Sequence, residues 1–149
     1  LSDIQGHCEI GQHVRLHSNV HIGQRSKVGD FVWIFPYVVL TNDPHPPSQT
    51  MDGCSIQEFA VVATMSTVLP GRIVGRGALV GAMTLVREDV PDDTICVGNP
   101  GRNVGSTTKI RFSDTGEPVY PWRRHFHRGY PEEIVAKWRA EFPREGGER

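Results

Sequence analysis

Several features that would place this chain quickly are missing. Only three of its 149 residues are cysteine, and Cys8, Cys54 and Cys96 are scattered. An odd, dispersed set excludes a disulfide frame, and no pair has zinc-site spacing; free thiols in a reducing compartment are expected. Charge of either sign is not in excess: the formal net value is -1, which excludes global attraction to nucleic acid or to an anionic membrane. No apolar run approaches a membrane span, and the opening residues carry no signal-peptide pattern. These absences predict a soluble cytoplasmic protein. Hydrophobic residues make up 38%, enough for one packed domain of ordinary size with a small appendage.

What is present is a beat. Aliphatic residues recur every six positions at Ile4, Ile10, Leu16, Ile22, Val28, Ile34 and Leu40, then again at Ile56, Val62, Val68, Val74, Val80 and Val86. Two residues before each beat the side chain is mostly small or β-branched, with Arg72 the exception. A period of six fits neither a helix nor a simple alternating strand. It fits short strands joined by tight corners, with both marked residues pointing inward. Three sides close a triangular coil, so residues 18 apart stack, Ile4 on Ile22 on Leu40. Glycine directly after the beat, as at Gly11, Gly23, Gly29, Gly75 and Gly81, is expected to serve corners that need unusual backbone angles. The alternative is an antiparallel sandwich with coincidental spacing, but chance rarely fills so many slots. The period leaves the hand of the coil open, and general crossover chirality favours the right hand. The chain begins on the beat without Met, so a leading segment or another element is expected to cover that apolar end.

These tandem [Leu/Ile/Val]-Gly repeats resemble those of the hexapeptide-repeat acyltransferases. So does the run from Val68 to Gly105, with Gly98-Asn99-Pro100-Gly101-Arg102 near the family's usual ending. The resemblance, which covers about Ile4–Val104, implies an all-β fold, a left-handed parallel β-helix over 1–104; residues 105–149 are expected to form a small C-terminal appendage of hairpin and helix. It also implies acetyl-coenzyme A as acyl donor with no metal, and a homotrimer with sites between subunits.

The beat is broken once. From Leu40 to Ile56 the chain takes sixteen positions where six would serve, so residues 41–55 form a loop hung from one corner. Pro44, Pro46 and Pro47 stiffen it. Asn42, Asp43 and His45 are its candidate catalytic group; a solvated surface loop is the plain alternative. Acyl transfer needs an acceptor lone pair kept free and a donor for the developing oxyanion. His45 suits a general base, since imidazole as a class titrates near neutral pH. Asp43 would orient that imidazole or hold an acceptor amine. Asn42 would offer its NH₂ to the acceptor or to the oxyanion. Thr41-Asn42-Asp43 with following prolines resembles the branch that N-acylates amino sugars on nucleoside diphosphates. His45-Pro46 resembles the element of sugar O-acetyltransferases instead, so amine and hydroxyl acceptors both stay open. By resemblance, Ala63, Thr64, Gly81 and Ala82 would meet coenzyme A at small-residue corners, and Arg102 would meet one of its phosphates.

After Val104 the composition changes. "KIRFSDTGEPVY" reads as a hairpin turning at Ser113–Gly116. A helix opens at Tyr130-Pro131-Glu132-Glu133, carries an apolar stripe of Ile134, Trp138 and Phe142, and ends at Pro143; Gly146-Gly147 begins a frayed tail. Six basic residues against two acids over 102–128, with Trp122 and Phe126 between them, suit the diphosphate and base of a nucleotide-sugar or of coenzyme A, or else an Arg-rich seam docking the appendage. Two rivals keep the fold: a γ-class carbonic anhydrase using His7, His13, His17 and His21, and a non-catalytic scaffold. Phe31, Trp33, Phe35 and Tyr37 are expected to point outward and invite a partner.

Overall fold

The computed structural model describes residues 1–143, so the Gly146-Gly147 tail lies outside the described residues. The chain divides into two compact units, Leu1–Thr107 and a second beginning at Thr108. Among the described residues the first unit holds thirteen two-residue strands, from Asp3–Ile4 to Leu85–Val86, each ending on a beat residue. They stack on three faces. The first aligns Ile4, Ile22, Leu40, Val68 and Val86. The second aligns Ile10, Val28, Ile56 and Val74, and the third Leu16, Ile34, Val62, Val80 and Cys96. All of these steps are parallel. The product is a parallel β-helix that winds to the left. The right-hand rule concerns long crossovers that pack back onto a sheet; here, outside the insert and the last connection, the two-residue strands are joined by four-residue corners.

Beat residues from Ile22 onward are buried, as are the slots two before them, Val20, Ser26, Val32, Val38, Cys54, Ala60, Ser66, Ala78 and Thr84. Cys54 fills the slot that precedes Ile56, a position the sequence reading passed over. At the start of the coil Ile4 and Ile10 are 47% and 38% exposed. After Val86 the rhythm shortens: the next inward residues are Val90, bridged to Val74, and Cys96, each two positions early and each buried. Thr94–Val97 then turns into the antiparallel strand Arg102–Ser106, which ends the ladder.

The glycines after the beat have a different reason from the one expected. None of them is left-handed. The left-handed residues come two positions later and are mostly not glycine: His7, His13, Asn19, Arg25, Phe31, Tyr37, Phe59, Met65 and Met83. Such a residue costs roughly 1–2 kcal/mol. Hydrogen bonds from corner to corner offset it, as in Phe31 N–H to Gln12 O at 2.9 Å and Met83 N–H to Thr64 O at 2.9 Å. At the five positions Gly11, Gly23, Gly29, Gly75 and Gly81, glycine is required because the next coil is too close. A Cβ on Gly29 would lie 2.7 Å from Glu58 N, and one on Gly75 2.6 Å from Asp92 N.

The outward aromatic residues also differ from expectation. Only Tyr37 is exposed, at 58%. Phe31 stacks between His13 and Phe59, at 5.2 and 5.1 Å. Phe35 stacks on His17 at 4.7 Å, and Arg15 sits over Trp33 at 4.7 Å. They pack along the corners and faces of their own chain.

In the second unit the hairpin appears as one antiparallel bridge, Arg111 to Pro118, with Gly116 N–H closing onto Phe112 O at 2.9 Å. The helix spans Glu132–Glu141 and buries Val135 and Trp138, whereas Ile134 and Phe142 are half-buried. Trp138 packs edge-on against Tyr130 and Trp122, at 4.8 and 5.7 Å. Arg123, 6% exposed, holds the Glu141 carboxylate through its Nε at 3.1 Å. That guanidinium is therefore spent inside the unit, on a seam between its own segments rather than on a diphosphate. Among the described residues no helix is long and apolar enough to cross a membrane.

Replacing Gly29 by Ala forces the new Cβ into backbone of the next coil. A loss of about 1–3 kcal/mol is expected, as for overpacking elsewhere. Denaturant midpoints check it, and an unchanged midpoint contradicts the close-approach explanation.

Candidate functional site

The insert leaves the coil at the corner between first and second faces. Its neck is closed by several independent contacts. Thr41 gives both its N–H and its hydroxyl to Val68 O, at 3.0 and 2.7 Å. Asp52 N–H donates to Asn42 O at 2.7 Å, and Gly71 N–H to Asp52 O at 3.1 Å. Gly53 lies so near Arg25 that a Cβ would stand 2.2 Å from its carbonyl carbon. Cys54 N–H donates to Ser26 Oγ at 3.2 Å, and its Sγ faces Thr41 O at 3.1 Å, Leu69 O at 3.4 Å and Val68 O at 3.5 Å. Burial pushes that thiol up from 9.0 to about 12. A thiolate among three carbonyl oxygens would be repelled, so Cys54 is a neutral peg rather than a nucleophile.

Beyond the neck the three candidates separate. Asn42 is half-buried and lies over Gly23, where a Cβ would come within 3.0 Å of its Cγ. Its Nδ2 donates to Met51 Sδ at 3.4 Å. Asp43 accepts Ser48 N–H on Oδ2 at 3.2 Å, while Oδ1 is shut away from solvent with no partner. That carboxylate is engaged by the loop's own backbone and does not orient His45. His45 is exposed, and among the described residues nothing bonds its ring.

The proposed donor residues lie on another corner, between third and first faces. Ala63 and Gly81 stand one coil apart in one column, their N–H groups used by Val80 O and Cys96 O at 2.9 Å each. Thr64 and Ala82 follow them. At three other positions the equivalent N–H groups are capped by side chains: Gln12 by Asp30 Oδ1 at 2.7 Å, Gln24 by Gln5 Oε1 at 3.2 Å, Arg76 by Asp92 Oδ1 at 2.8 Å; Ser18, Asp30 and Glu58 have no such cap among the described residues. Among the described residues no such cap meets Thr64 or Ala82, so this column presents backbone donors outward. Met65 and Met83 beside them are 55% and 66% exposed. Arg102 is exposed at the start of the last strand. One chain therefore brings Ala63 and Thr64 together with Gly81 and Ala82, but places the loop group on a different corner. A shallow groove of about 440 Å³ on the second face, with Gly11 and Gly29 in its lining, contains none of these residues. Among the described residues no group of three His, Cys, Asp or Glu could hold a metal ion.

No family model matches the chain. A serine acetyltransferase of Bacillus pumilus is 38% identical over 105 residues, 67% of this chain and 48% of that protein. The dTDP-3-amino-3,6-dideoxy-alpha-D-galactopyranose 3-N-acetyltransferase of Aneurinibacillus thermoaerophilus is 35% identical over 63 residues, 40% of this chain and 33% of that protein. Among solved structures, the soybean serine acetyltransferase apoenzyme superposes with a TM-score of 0.65 at 30% identity, covering 69% of this chain and 43% of that one. The chain belongs to the hexapeptide-repeat acyltransferases, and the relatives just named are acetyltransferases. It spans about half the length, or less, of the curated relatives it matches.

The geometry of the three thiols gives a direct check. Cys8 is half-buried, whereas Cys54 and Cys96 are buried. One thiol is expected to react with a disulfide reagent in the native protein and three after unfolding; rapid labelling of Cys54 contradicts the peg. The sign with pH follows from the raised thiol: the folded state keeps a proton that the unfolded Cys54 loses near 9.0, so its stability contribution is full below that pH and is lost toward about 12.

Proposed function

We propose that this chain carries out acetyl transfer from acetyl-coenzyme A to the amino group of a nucleotide-linked sugar, between the insert of one subunit and the donor column of the next. The observation that carries this reading is the separation of the two halves: the polar loop and the exposed backbone donors occupy different corners of one prism. A neighbouring copy brings them together, which is why the reading includes a homotrimer. In it the acceptor nitrogen attacks the thioester carbonyl carbon. The C–N bond forms, the C–S bond breaks, and coenzyme A leaves as its thiolate. The amine proton passes to His45 or to water. Asn42 orients the acceptor, and Asp43 keeps the loop folded while adding negative potential near an amine. Thr64 and Ala82 N–H groups would take the pantetheine carbonyls, and Arg102 a phosphate. The cytoplasmic location expected from the thiols belongs to this proposal as well.

The Aneurinibacillus relative supports an amine acceptor, since its named activity is N-acetylation of an amino sugar. The Bacillus pumilus and soybean relatives favour a second reading, O-acetylation of a small hydroxyl compound such as serine. The test is release of coenzyme A from acetyl-coenzyme A with a dTDP-linked 3-amino sugar and, separately, with L-serine. An amide product, stable to alkaline hydroxylamine, is expected; an ester that alkaline hydroxylamine cleaves, made only from serine, replaces the first reading with the second. Turnover with neither acceptor defeats both. Asn42→Ala is expected to lower kcat/KM by about 10- to 100-fold, the worth of one hydrogen bond in the transition state. The loss for His45→Ala should be smaller, because a sugar amine needs little help from a base. Wild-type kinetics in both variants would remove the site from this loop.

A further inference from the structure

We propose that Met51 and Gly23 fix the Asn42 carboxamide with its carbonyl oxygen toward the acceptor, so that Asn42 accepts a hydrogen bond from the substrate and Met51 is a positioning residue. The inference rests on the acyl-transfer reading of the loop and refines it: it removes Asn42 from the role of oxyanion donor.

A carboxamide has two unlike ends, an NH₂ that only donates and an oxygen that only accepts. A thioether has lone pairs and no hydrogen, so it tolerates the first end and repels the second. Met51 Sδ lies 3.4 Å from Asn42 Nδ2 and thereby distinguishes the two ends. The contact is held from both sides. Asp52, next to Met51, donates its N–H to Asn42 O at 2.7 Å, so the two strands of the loop neck are paired exactly where the side chains meet. Beneath, Gly23 leaves the amide lying on backbone: a Cβ there would be 3.0 Å from Asn42 Cγ, 3.1 Å from its Cβ and 2.7 Å from Leu40 O. Among the described residues no donor meets Asn42 Oδ1. The sulfur occupies one N–H of the carboxamide, and the oxygen on the opposite branch is turned away from Met51 as an acceptor open to a ligand. That oxygen selects an acceptor substrate that presents N–H or O–H, and holds that hydrogen so that the lone pair on the same atom is turned elsewhere.

Leucine matches methionine in volume and lacks only the sulfur's lone pairs, so Met51→Leu separates the contact from packing. With acetyl-coenzyme A and whichever acceptor the wild type uses, Met51→Leu is expected to lower kcat about 5- to 10-fold, the loss of one weak hydrogen bond's worth of orientation. KM for acetyl-coenzyme A and the thermal midpoint should not move, and Met51→Gln, whose amide oxygen can replace the sulfur, should recover most of the rate. Asn42→Asp retains an acceptor oxygen and is expected to exceed Asn42→Ala; a required NH₂ would put it below. A readout without turnover is solvent exchange of the Asn42 side-chain NH₂ by ¹⁵N NMR, which should accelerate in Met51→Leu. Unchanged exchange and wild-type kcat in Met51→Leu, or Asn42→Asp poorer than Asn42→Ala, overturns the inference alone, provided Asn42→Ala is itself impaired. Wild-type turnover by Asn42→Ala overturns the site reading and this inference with it.

Discussion

Thr41 N–H reaches Val68 O at 3.0 Å, and one coil earlier Gly23 N–H reaches Leu40 O at 2.9 Å. The first bond spans the whole insert; the second spans an ordinary turn of the coil. That the two differ by only 0.1 Å reflects the constraint on which the molecule depends. Each coil is held to the next by parallel backbone bonds between residues of identical inward role, and a slip of one position would turn every beat residue outward. Extra chain can therefore be added only at a corner, where both ends stay in register. Loop closure costs little per added residue once the ends are fixed. The stack supplies fixed ends, and the loop can be selected for chemistry without disturbing the core.

The same closeness explains residues that carry no chemistry. Gly29 and Gly75 are small because the neighbouring coil's backbone lies within 3 Å of where a side chain would begin. The unusual angles fall instead on His13, Phe31 and Phe59, whose rings then stack up one corner. Sequence periodicity located the inward positions because burial repeats with the backbone. It mistook the reason for the glycines because a contact between residues of adjacent coils has no local mark. Val90 and Cys96 were missed for a related reason: the final corner is shortened, and a fixed count of six steps over them. In the helix, Val135 and Trp138 are buried while Ile134 is only half-buried, since the local partners, Trp122 and Tyr130, sit at a slightly different angle from the one a simple stripe implies.

For the candidate site, the insertion and its polar residues were legible, as were the small corner residues. Their relations were not. Asp43 looked able to orient His45, yet Ser48 N–H holds its carboxylate. Met51 looked like an anonymous loop residue, because the pairing of Asn42 with Asp52 that places it is set by how the neck closes. That the N–H groups of Thr64 and Ala82 are uncapped, while those of Gln12, Gln24 and Arg76 are capped from an adjacent coil, shows only once the coils are stacked.

Two corners of neighbouring prisms forming one acyl-transfer site is the central claim. A crystal structure of the protein with coenzyme A bound tests it most directly. The account predicts pantetheine along Thr64 and Ala82 of one subunit, with the sulfur within about 4 Å, ordinary contact distance, of Asn42 or His45 of another. Coenzyme A lying along the second-face groove, with its sulfur far from any insert, would contradict it.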